Sequence, residues 1–144
     1  MSSIQEQIQV RMLVILLGAT DAGANVSRSQ ETFLARDTLL AIGIFPGAEA
    51  DSVFSTATDE HELAINVEVF ARGDPWYSAA DVVVTQAHRL LLTDALLQSL
   101  ITRIRRISRT PVDEDPDKTA GVYQMEYRIR YLTNASDISD GNTF

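Results

Sequence analysis

Cysteine is absent from the 144-residue chain, which removes thiol catalysis, zinc ribbons and disulfide frameworks together. Histidine is nearly absent, with only His61 and His88. His61 lies in Asp59-Glu60-His61-Glu62, where strand alternation sends two candidate ligands to each face and makes a poor metal site. His88 falls on the polar arc of a helix, where a solvated imidazole is the ordinary outcome. Asp113, Asp115 and Asp117 take the first, third and fifth places of a calcium loop, but Lys118 replaces its glycine and Gln124 its closing glutamate. No G-x-S-x-G, phosphate loop, dinucleotide fingerprint or H-E-x-x-H occurs. The expectation is no catalytic residue, no metal and no cofactor.

Positive charge is also in deficit. The net charge is −8 and the pI about 4.6, so the whole surface is unsuited to gripping nucleic acid, although an acidic wall lets DNA pass without sticking. Long apolar runs are missing too. Met12 to Leu17, the longest near the start, is far too short to span a bilayer, and no basic segment precedes it, so neither membrane insertion nor export is expected. The tripeptides at Asn25 and Asn134 that match the glycosylation pattern are then chance, and Arg72-Gly73-Asp74 reads as the turn leaving a strand.

What is present suffices for one domain, since a chain of this size buries roughly 68–70% of its unfolded surface. Tyr77 to Thr93 is its clearest helix. Ala80, Val83, Val84, Ala87, Leu90 and Leu91 share one arc of the wheel, and Ser78 with Asp81 resembles a capping box. Before it, Leu63, Ile65, Val67 and Val69 alternate with polar residues as in a half-buried strand; after it, Leu100 to Arg109 and Val122 to Thr133 read as strands. An earlier helix, Ile4 to Leu17, carries a main stripe of Ile4, Ile8, Met12, Ile15 and Leu16 and ends in a turn bracketed by Gly18 and Gly23. Val26 to Gln30 and Leu39 to Phe45 are further strands, the second closed by Pro46-Gly47. Ala48 to Glu60 and Pro111 to Lys118 read as acidic loops, and Ala135 to Phe144 as a loose tail after a single domain of residues 1–134. The fold class is α+β, a two-layer sandwich of two helices on one face of a mostly antiparallel sheet of four to five strands.

Two sets of residues are left over for contacts. Val10, Leu13, Val14 and Leu17 form a second apolar stripe on the first helix, and Val82 and Leu92 lie off the core-facing arc of the other. The stripe packs either against the neighbouring helix or against another subunit, and Val82 and Leu92, left over once the core is satisfied, suggest an interface. Arg103, Arg105, Arg106, Arg128 and Arg130 lie on the two last strands, where they either pair with Glu62 and Glu68 on a solvated sheet face or dock an acidic partner. The doubled Arg105-Arg106 breaks alternation and suggests a bulge.

The order of these segments resembles the phage tail terminator family, which includes the minor tail protein U of lambdoid phages. The likeness runs from Ile4 to Thr133: a first helix ending in GATDAGANVSRSQE, a strand closing on Pro-Gly (AIGIFPGAE), and a strand entering a helix (LAINVEVFARG, ADVVVTQAHRLLLTD). It continues through ALLQSLITRI and an acidic loop to a closing strand, YRIRYLT. Gln98-Ser99 stands where family members often have glycine. The resemblance implies a non-enzymatic homo-oligomeric ring, usually a hexamer, at the head-proximal end of the virion tail. Such a ring is assembled in the host cytoplasm, caps the tail tube protein, meets a neck or head-completion protein and lets DNA pass through its lumen. Another connector or tube-like virion protein and a small cytoplasmic enzyme with an unmarked site are the alternative readings.

Overall fold

The computed structural model describes residues 2–28, 39–114 and 119–141. Its elements run α1 (Ile4–Leu16), β1 (Val26–Ser27), β2 (Leu40–Ser55), β3 (Thr58–Arg72), α2 (Trp76–Thr93), α3 (Ala95–Leu100), β4 (Arg103–Asp113), β5 (Ala120–Asn134) and β6 (Asp137–Gly141). The architecture is the expected α+β sandwich, with a curled sheet in the order β1-β2-β3-β5-β4 and β6 added on β5. All strand pairs are antiparallel except β1 with β2. Because β3 and β4 are each antiparallel to β5, they are parallel to one another, and α2 with α3 forms the crossover between them.

Each element follows from its pattern. Ser3 caps α1 by accepting from the Glu6 N–H, and Gly18, at φ +76°, ends it in the left-handed region that a side chain disfavours. The Gly18 N–H donates to the Gly23 carbonyl, so the two glycines do close the turn after α1. The apolar alternation of β3 and β5 puts Leu63, Ile65, Val67, Met125, Tyr127 and Ile129 on the helix side, where they meet Ile8 and Met12 of α1 and Val83, Ala87 and Leu91 of α2. Leu97 fixes α3 to the same core.

Four expectations need correction. Ala48 to Glu60 is not a loop: β2 and β3 run on through it as one long hairpin, with Glu49 to Val53 paired to Leu63 to Asp59 after a bulge behind Pro46. Ala48 to Ala57 are exposed on both faces, so the polar sequence reads like a loop, and it is backbone pairing rather than burial that makes the stretch a strand. Helix α2 begins at Trp76 behind Pro75, with no side-chain cap, so Ser78 lies inside the first turn. Residues 137–141 of the supposed tail pair with β5 as β6, although their sequence has no apolar period. Finally, Pro111 to Asp113 continue β4 on the sheet edge, where proline needs no ladder hydrogen bond, while 115–118 lie outside the described residues. The expected strand beyond Arg28, at Ser29 and Gln30, also lies outside them. No described helix is long and apolar enough to cross a membrane.

Candidate functional site

The surface of α1 separates its two stripes. Ile4, Ile8, Met12, Ile15 and Leu16 are buried, whereas Val10, Val14 and Leu17 are 45%, 53% and 51% exposed. Leu13, grouped with them in the sequence, turns partly into the core and leaves the outer stripe. Leu96 of α3, also exposed, extends that stripe, and an open groove of about 450 Å³ runs between Val10, Val14, Leu96 and Leu100. Arg11 and Asp94 tie its two walls through a bidentate pair at 2.8 and 2.9 Å. Asp94 also caps α3 at the Leu97 N–H, and the guanidinium with the cap bond holds its carboxyl down to about 2. Leu96 was hidden in the sequence because 95–100 is a short helix in front of β4, signalled only by the capping Asp94. On α2, Val82 and Leu92 are exposed as expected.

The arginines divide. The β4–β5 register sets Arg103 opposite Arg130 and Arg105 opposite Arg128 on the sheet face away from the helices. Like charges face each other there, and Glu62 relieves only part of the repulsion, lying 3.6 Å from Arg128 and 3.7 Å from Arg130. Glu126 takes a second bond from Arg128 at 3.1 Å. Arg103 and Arg105 have no carboxylate partner among the described residues. Arg106 does not belong to this face. The register shift between Arg106 and Ser108 bulges the strand at Ile107, and Arg106 points under α2 toward Met125. Arg109 follows it to the helix side, bonding Asp81 at 2.6 Å and covering the Tyr123 ring.

A polar cluster at the far end of the helix side was not foreseen. Glu49 and Asp51 alternate onto one face of β2, and Asp51 is registered with His61 on β3 and through it with Tyr131 on β5. His61 is buried, stacks on Tyr131 and bonds Asp51 through Nδ1 and the Thr133 hydroxyl through Nε2. The Tyr131 hydroxyl donates to Glu49, and burial and that carboxylate push its pKa up. As the strand alternation implied, His61 does not group with Glu60 and Glu62, and its partners come instead from the neighbouring strands. Glu49, Asp51 and His61 bring their ligand atoms within 4.8 Å of one another, the one such trio among the described residues. Both imidazole nitrogens are already engaged, so the network is complete without a cation.

His88 differs from the expected solvated side chain. It is half-buried on α2 and bonds the Tyr127 hydroxyl at 2.9 Å. Burial, and then nearby Arg106, lower its pKa, while burial pushes the Tyr127 hydroxyl up to about 12. Of the tyrosines on β5, Tyr127 alone lies under the middle of α2: Tyr123 packs on Trp76 and Tyr131 on His61. No family model matches the chain, and no curated protein matches it.

Proposed function

We propose that this chain is a structural virion protein, a tail terminator whose copies close into a ring, six in number, that caps the tail tube and joins tail to head. The observation that carries the reading is the apolar stripe of Val10, Val14, Leu17 and Leu96, which remains exposed after the core is complete. A contiguous apolar strip of this kind marks a protein contact. Heterologous contacts that close by rotation make rings. The segment order that resembles tail terminators supplies the biological setting, with the tube protein on one side of the ring and the neck protein on the other. The net charge of −8 suits a lumen through which DNA slides without being held.

The test is a phage lacking this protein. Filled heads should accumulate beside separate tails, and those tails should be overlong or uncapped. Tails of normal length without heads would favour a neck connector instead. Normal tails already joined to heads would overturn both assignments.

A further inference from the structure

The sheet has two open edges, and they carry opposite charge. At one edge, β1 pairs β2 only at Ile42 and Gly43, so no described strand lines the outer side of β2 from Glu49 to Ser55. The hairpin there holds five carboxylates between Glu49 and Glu62 and no lysine or arginine. At the other edge, no described strand lines the outer side of β4, which holds four arginines between Arg103 and Arg109 and no carboxylate. An unpaired edge is a template for another strand, and like charges along it repel a second copy of the same edge.

We propose that the subunit–subunit contact joins the β4 edge of one copy to the β2 edge of the next, continuing the sheet from subunit to subunit. This rests on the ring reading and names its interface. Side-chain placement agrees with the charges. Arg103 and Arg105 occupy the sheet face opposite the helices, as do Ala50, Ser52, Glu60 and Glu62 by their register. With the edges abutted, the two arginines extend over the small Ala50 and Ser52 toward Glu60, one strand spacing of about 4.8 Å further in. Glu60, like Arg103 and Arg105, has no ion partner among the described residues. Exposed apolar residues accompany the charges, Ile107 at the β4 bulge and Val53 near the hairpin tip, 46% and 80% exposed. Two identical edges meeting would oppose arginine to arginine or glutamate to aspartate, so the charges select the head-to-tail mode over a two-fold dimer.

Two charge-reversed variants test this. On the sheet face away from the helices, the first, Arg103→Glu with Arg105→Glu, leaves both edges acidic, and the second, Ser52→Arg with Glu60→Arg, makes both basic. Circular dichroism and the emission of Trp76 establish that each is folded. Native mass spectrometry and light scattering then compare them with the parent. Each variant alone should fall from the parent's multi-subunit mass to the 15.9 kDa monomer. An equimolar mixture should regain the parent's mass with the two variants alternating, because each acidic edge then meets a basic one. A parent ring that both variants form equally well would overturn the edge contact and leave the ring reading standing. Folded monomeric variants that fail to reassemble when mixed would also overturn this pairing of edges. A parent that stays monomeric both free and in particles would remove the ring reading itself.

Discussion

Gly121 sits against the chain's single tryptophan, and a Cβ there would lie 2.1 Å from the Trp76 ring. Trp76 is nearly fully buried, with its indole N–H donating to Asp113 at 3.0 Å. Backbone cannot retreat in a central strand, so Gly121→Ala should destabilise by about 1–3 kcal/mol, read from the denaturant midpoint of tryptophan emission. Tyr127 is fully buried, and Tyr127→Ala should cost about 3–5 kcal/mol. Tyr127→Phe should cost only about 0.5–1.5 kcal/mol, the worth of its bond to His88. An unchanged midpoint in Tyr127→Ala would mean that the closing strand faces the other way. His88 adds a pH dependence of known sign. Its folded pKa lies below the ordinary 6.5, so the folded state binds fewer protons than the unfolded chain. Its contribution is full above that value and falls away as pH drops below it. The parent should therefore lose more stability than His88→Gln between about pH 7.5 and 5 in urea titrations.

At the scale of elements, Asp94 joins three helices: it ends α2, caps α3 and binds Arg11 of α1. Its carboxyl is held near 2 against an ordinary 3.8, so its contribution is present above the ordinary value and lost as pH falls through about 2. Asp94→Asn should lower the unfolding midpoint at neutral pH, and the gap to the parent should close in acid. A gap that persists unchanged at about pH 2 would assign the effect to packing instead. The long β2–β3 hairpin is the other element that shapes the surface. Its continuation past Pro46 builds both the acidic edge and the His61 cluster, since only a paired strand could place Asp51 opposite His61.

For the whole molecule, the outer groups of α1 and α2 should govern assembly and not folding. Leu92→Glu and Val14→Glu place a charge on exposed sites, so the unfolding midpoint of the monomer should stay within about 0.5 kcal/mol of the parent. The assembled mass by light scattering should fall. Identical masses for mutant and parent at virion-like concentration would remove these residues from the interface. Both helices would then be left to the axial partners, with the sheet edges alone closing the ring.

The sequence by itself determined the helices α1 and α2, the apolar face of β3 and β5 and the α+β class, because each rests on a local period. Val83 and Ala87, or Leu63 and Ile65, announce their burial through spacing alone. The separation of Arg106 from Arg105 was half visible in the doubled arginine, but which face each took depended on the bulge at Ile107. The His61 cluster was invisible, since its partners Asp51 and Thr133 lie 10 and 72 residues away and meet it only through strand register. β6 was equally hidden, being a polar strand held by backbone pairing to β5. Local periodicity records which side of an element is buried. Only the tertiary structure decides which elements stand next to one another, and so which charges share a face and which edges stay open.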